Sequence, residues 1–171
     1  VDTAVQVAAI RVTESLTLRD PAAQQALLAR LEGLAVSGSP ETCFQLALTA
    51  GNQPKPAAFP SLIRVASRHA EHALLRHAIL SGLNGWELQF LQILLSDPGW
   101  VAERPGRGAL LEALTAAVIR ERDPQKCEML LALVVAQEGT GAWRQISLAE
   151  GLVSVLNSRR FQPIELAAVP K

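Results

Sequence analysis

The sequence predicts an all-α protein, a right-handed α-solenoid of about four to five antiparallel helix pairs, on three observations. Apolar residues recur at helical spacing along nearly the whole chain, while strand-like alternation is almost absent. Asp20-Pro21, Ser39-Pro40 and Asp123-Pro124 each place a capping side chain before a proline at the first helical position, the arrangement that opens helices. The first helices of successive pairs start near Thr3, Pro40, Glu71, Gly108 and Ala142, a spacing of roughly 30 to 40 residues that belongs to helical repeats.

In chain order, Thr3 to Leu16 carries Val5, Ala8, Ala9, Val12 and Leu16 as an expected buried stripe. Its partner runs from Pro21 through Leu27, Leu28, Leu31 and Leu34 until Ser37-Gly38 stops it. A second pair opens at Pro40, passes Phe44, Leu46, Ala47 and Ala50, closes at Gly51-Asn52, and returns across Pro56 and Pro60 to about His69. Glu71 to Leu83, broken by Asn84-Gly85, and Trp86 to Ser96, stopped by Asp97-Pro98-Gly99, form a third. After a loop over Trp100 to Arg107, Gly108 to Arg122 and Pro124 to Gln137 make a fourth, and Ala142 to Ser158 is a ninth helix. The expected domain is therefore 1–158, with 159–171 an irregular tail; the start at Val1 and the irregular end read as a piece of a longer polypeptide.

Within the first helices a degenerate pattern recurs: an apolar residue, then Arg or Gln, then Ala, then a small residue two turns on. Leu75-Arg76 to Ser81-Gly82-Leu83 and Trp143-Arg144 to Glu150-Gly151-Leu152 show it best, and Val5-Gln6 to Ala9 shows part of it. Small residues there are expected to let neighbouring helices approach closely while large apolar ones fill the layers.

Composition excludes several classes of function. Apolar residues make up 49% of the chain and charged ones 19%, which suits a globular core and no disordered tract. Sixteen basic and sixteen acidic residues cancel, so the electrostatic footprint of a nucleic-acid or membrane-surface protein is missing. The longest apolar run, Met129 to Ala136, is far short of the roughly 20 residues of a spanning helix. Cys43 and Cys127 have no metal or haem spacing around them and read as small buried hydrophobes in preference to a disulfide.

The segments Val7 to Glu14, Gln45 to Gly51 and Arg76 to Leu83, in that order, resemble the HEAT-like repeat region of the large secreted haem-binding, membrane-bound-dehydrogenase-like proteins of planctomycetes and their relatives. The resemblance covers about Val5 to Leu152 and rests on structural motifs. It implies HEAT-like helix pairs, an exported parent with a sugar-dehydrogenase-like propeller and a C-terminal cytochrome c domain on one chain, and an extracytoplasmic location. No catalytic residue carries across, because the C-x-x-C-H haem motif and the propeller residues are absent from these 171 residues.

The remaining chemical candidates each have a structural reading beside the functional one. His69, Glu71, His72 and His77 cluster around the start of the fifth helix and are metal-ligand types, but their spacing is not H-E-x-x-H and a helix break is expected among them, so they read as loop and cap residues. A haem contact through one of these histidines or Met129 is a further alternative. No nucleophile elbow, phosphate loop or paired-carboxylate motif stands out, so no catalytic, cofactor or metal set is expected. Arg64 and Arg68, Arg120 and Arg122, and Arg159-Arg160 are candidate basic patches, interleaved with Glu112, Glu121, Asp123 and Glu128; HEAT-like nucleic-acid-binding or base-excision proteins keep a nucleic-acid reading open. Trp86 and Trp143 are expected to fill layers between repeats, whereas Trp100 either pins its loop or anchors a partner. The expected function is a non-catalytic scaffold whose second helices line a surface for another protein or a neighbouring domain, with Arg64, Arg68, Gln89, Gln92, Trp100 and Lys126 as candidate partner-binding residues.

Overall fold

The computed structural model describes residues 2–16, 19–53, 57–137, 142–157 and 163–166. Among them are nine α-helices, one 3-10 turn and no strand. The helices are α1 (Thr3–Thr13), α2 (Pro21–Ser37), α3 (Pro40–Ala50), α4 (Phe59–His69), α5 (Ala73–Leu83), α6 (Glu87–Ser96), α7 (Arg107–Arg120), α8 (Pro124–Ala136) and α9 (Ala142–Leu156), with the 3-10 turn at Pro98–Trp100. The three cap-proline dipeptides open helices as expected: the Asp20, Ser39 and Asp123 side chains accept from Ala22, Thr42 and Gln125 backbone N–H groups at 3.1, 3.3 and 2.9 Å. Asn84 and Gly85, both at positive φ (44° and 91°), end α5 in the left-handed region where a chain turns most readily without a Cβ.

By contacts the chain divides into two compact units, Val1–Asn84 and Gly85–Lys171. In the first, α3 lies against both α1 and α5, and α2 lies against α4. In the second, α7 packs on α9 and on α6, and α8 touches α6, α7 and α9. Helices alternate in this way because each presents one apolar stripe and must cover it with helices other than its immediate hairpin partner alone.

The close approaches fall where the repeated pattern puts small residues. A Cβ added to Gly82 of α5 would stand 2.7 Å from the Ala47 carbonyl oxygen of α3. One added to Gly151 of α9 would stand 2.5 Å from the Glu112 carbonyl oxygen and 2.6 Å from Thr115 Cβ, both on α7. The core builds outward from these crossings. Ala47, Leu62, Val65, Ala66 and Ile79 are fully enclosed in the first unit, as are Phe90, Leu94, Leu110, Leu111 and Leu114 in the second.

The expected stripe of α1 is not buried. Val5, Val12 and Leu16 are each more than half exposed, and Ile10 is the buried residue of the helix. The α1–α3 contact is instead partly polar. Thr42 Oγ1 donates to Gln6 Oε1 at 2.9 Å, Arg11 Nε donates to Gln45 Oε1 at 2.8 Å, and Gln45 Nε2 and Thr49 Oγ1 donate to Glu14 Oε1 at 3.1 and 2.6 Å. Thr42, Gln45 and Thr49 stand one turn apart on α3, so the chain couples the two helices by a ladder of side-chain hydrogen bonds that needs no apolar stripe. Cys43 and Cys127 are free and buried, as small hydrophobes would be.

Gly82→Ala and Gly151→Ala are each expected to destabilise the protein by about 1–3 kcal/mol, because backbone oxygen must move to admit the methyl group. Gly33, mid-helix in α2 with nothing within 4 Å of a built Cβ, is the contrasting site. Gly33→Ala is expected to stabilise by about 0.5–1 kcal/mol through helix propensity. Urea denaturation of the three variants checks both signs.

Candidate functional site

A cleft of about 420 Å³ opens on the first unit beside α1, α3 and the start of α5. Val7, Phe44, Leu74 and Leu75 give it an apolar lining, and Arg11, Glu41, Gln45 and His72 a polar one. Leu74, on the rim, is 70% exposed. The Arg11–Gln45–Glu14 ladder fixes one wall, since it holds α1 against α3.

At the break between α4 and α5, next to this cleft, the chain brings His69, Glu71 and His72 together. One ligand-type atom from each lies within 4.8 Å of the other two. His72 Nε2 is 3.4 Å from Glu71 Oε1, and the two imidazole rings are 5.9 Å apart at 36°. His69 Nε2 is out of solvent and has no hydrogen-bond partner. Burial, with the Arg68 charge second, holds the His69 imidazole below its ordinary pKa. Arg76 Nη1 donates to the Ala70 and Glu71 carbonyl oxygens at 2.7 and 3.1 Å, fixing the backbone that carries the trio. His77, the fourth member of the sequence cluster, is exposed on α5 and outside the trio.

The other sequence candidates stand in separate settings. Arg64 pairs with Glu32 at 3.6 Å and Arg68 Nη1 donates to the Ala35 carbonyl at 3.0 Å, so both tie α4 to α2, and neither lines the cleft. Gln89, Gln92 and Lys126 belong to the second unit. Gln89 and Gln92 are half-buried, and Lys126 Nζ donates to the Gly85 carbonyl at 2.9 Å and pairs with Glu121. Trp100 is 1% exposed and is therefore a loop pin with no surface to offer a partner. Trp86, 38% exposed at the N-cap of α6, is not enclosed by a layer, whereas Trp143 is half-buried and donates from Nε1 to the Val101 carbonyl at 3.1 Å. Arg120 and Arg122 are exposed; Arg159 and Arg160 lie outside the described residues.

Two buried arginines organise the second unit and were not singled out as a pair by their sequence. Arg144 donates from Nε to the Trp100 carbonyl and from Nη1 to the Leu95 carbonyl, both at 3.1 Å. Arg107 Nη1 donates to the Gly99 and Ala102 carbonyls at 2.7 and 3.0 Å, with its guanidinium 4.6 Å from the Trp100 ring centre. Burial lowers both pKa values from the ordinary arginine range without removing the charge. The signal for Arg144 was the Trp-Arg step of the repeated pattern. Like Arg76 in the first unit, it uses that position to satisfy loop carbonyls.

Glu87 is buried at the start of α6. Burial pushes its carboxyl pKa up, and the neighbouring Glu121 carboxylate adds to the rise. No protein-family model, curated protein or solved structure matches the chain.

Arg144→Met keeps the apolar stem but leaves the Trp100 and Leu95 carbonyls without their donor, an expected loss of about 1–3 kcal/mol by chemical denaturation. The raised Glu87 carboxyl gives a pH signature. Its contribution to stability is fully present below the unfolded carboxylate pKa and is lost as pH rises through the folded value. Glu87→Gln, which imitates the protonated form, is therefore expected to gain stability relative to the parent chain as pH rises above the ordinary glutamate pKa of about 4.3. A stability difference that does not change as pH rises from about 4 to neutral would contradict the assignment.

Proposed function

We propose that this chain is a non-catalytic scaffold, a right-handed α-solenoid of HEAT-like helix pairs that docks another protein or a neighbouring domain of its parent polypeptide. The observation that carries the reading is the alternating helix contact repeated in each unit, α1–α3–α5 beside α2–α4 in one and α7–α9 beside α6–α8 in the other. Repeats of this kind bind through extended surfaces made by equivalent helices. The partly apolar cleft on α1, α3 and α5 supports a docking face on the first helices, where the sequence had favoured the second.

The parent in this reading is an exported redox protein, in line with the family resemblance of Val7 to Glu14, Gln45 to Gly51 and Arg76 to Leu83. The nucleic-acid alternative gains no support from the arginines: Arg68, Arg76, Arg107 and Arg144 donate to backbone carbonyls. Zero net charge points the same way.

Two measurements test the proposal. The native polypeptide, captured with an antibody to this chain, is expected to exceed 18.3 kDa on a denaturing gel and to carry covalently bound haem by peroxidase staining. A haem-free polypeptide of the size of this chain overturns the redox assignment. Fluorescence anisotropy with labelled duplex DNA is expected to show no binding at low salt; tight, salt-dependent binding favours the nucleic-acid alternative.

A further inference from the structure

We propose that His69, Glu71 and His72 form a three-ligand site for a divalent transition-metal cation of the zinc class, set in the break between α4 and α5. The donor set is two imidazole nitrogens and one carboxylate oxygen. That composition suits Zn²⁺ and its first-row neighbours, whereas Mg²⁺ and Ca²⁺ prefer all-oxygen shells. Three protein ligands are also the complement of an open zinc site, in which water or a further ligand fills the fourth position.

Geometry favours the assignment over a chance cluster of loop residues. Zn–N and Zn–O bonds of about 2.0–2.1 Å place tetrahedral ligand atoms about 3.3 Å apart. His72 Nε2 and Glu71 Oε1 already stand 3.4 Å apart. No pair in the trio exceeds 4.8 Å, so closure asks about 1.5 Å of movement at most. Glu71 and His72 are about half exposed, at 45% and 50% of their side-chain surface, and are free to make that movement by rotamer change.

The anchored member is His69. Its Nε2 is enclosed with no protein partner, which is costly for a ring nitrogen. The backbone between the ligands is held by Arg76, whose two bonds to the Ala70 and Glu71 carbonyls give the loop one conformation before any cation arrives. Arg76, bonded to the Ala70 and Glu71 carbonyls, and Arg68, next to His69 in sequence, oppose the metal charge. The single Glu71 carboxylate offsets one unit of it, and Arg68 is directed away to the Ala35 carbonyl.

The test uses the full chain, stripped with a chelator and returned to chelator-free buffer. Titration with Co²⁺ is expected to develop visible ligand-field bands that saturate at one equivalent and disappear when Zn²⁺ displaces it. Calorimetry with Zn²⁺ should give the same stoichiometry, and Mg²⁺ should give no heat. Glu71→Gln and His72→Gln alter exposed side chains and so are expected to keep the helical circular dichroism while weakening binding by at least about tenfold. His77→Gln, one turn away and outside the trio, should bind as the parent chain does. The proposal is overturned if Co²⁺ and Zn²⁺ give no response, if binding survives both Glu71→Gln and His72→Gln, or if His77→Gln weakens it as much as they do.

Discussion

Where α5 crosses α3, and again where α9 crosses α7, backbone meets backbone with no room for a single methyl group. Gly82 faces the Ala47 carbonyl and Gly151 faces the Glu112 carbonyl. These two crossings set how far apart equivalent helices stand, and much of the molecule follows from that distance. Large side chains such as Leu62, Ile79, Leu111 and Leu114 fill the volume that remains on either side. Helices so close along their middles leave their ends and connecting loops with carbonyl groups that no further helical turn can satisfy.

Arginine answers that need. A guanidinium presents five donors in a planar fork, so one side chain can close two carbonyls on different segments while stacking on an aromatic ring. Arg76 closes the adjacent Ala70 and Glu71 carbonyls after α4; Arg107 closes those of Gly99 and Ala102 while its guanidinium lies over the Trp100 ring, and Arg144 closes those of Trp100 and Leu95. Arginine makes up thirteen of the sixteen basic residues in this chain of zero net charge. Four of them, Arg68, Arg76, Arg107 and Arg144, donate to backbone carbonyls, and two of these, Arg107 and Arg144, are buried. The cost of burying charge is met by hydrogen bonds to carbonyl dipoles in place of carboxylates. Glu87 shows the opposite solution, a buried carboxyl whose neighbourhood favours its protonated form.

Local chemistry was legible in the sequence, and long-range assembly much less so. Cap-proline dipeptides placed the starts of α2, α3 and α8 because capping is decided by residues adjacent in sequence. Gly82 and Gly151 were legible as close-approach positions because the repeat set them in equivalent places. The stripe on α1 failed for a physical reason: only one neighbouring helix, α3, makes its main contact, and the Gln6, Arg11 and Glu14 side chains carry much of that contact. Trp100 could not be resolved between loop pin and exposed anchor, because its burial depends on Arg107 folding over the ring from seven positions along the chain. The metal-type trio was visible as a cluster of residue types. Which three of the four converge depends on the helix break, which puts His69, Glu71 and His72 on a turn and leaves His77 a turn into α5.

His72 belongs both to that trio and to the lining of the cleft, and this shared residue joins the two functional proposals. A cation held by His69, Glu71 and His72 fixes the His72 ring and converts the nearby Glu71 carboxylate from a free anion into a ligand. The rim of the cleft at His72, beside Leu74 and Leu75, then becomes more positive. Any segment docked in the cleft feels that change, and thermodynamic reciprocity requires that docking alter the affinity for the cation by the same factor. An acidic group on the docked segment strengthens both events; a basic one weakens both. A scaffold with this arrangement can tie the occupancy of its surface to metal without any large movement, because the linkage passes through one half-exposed imidazole at the N-cap of α5.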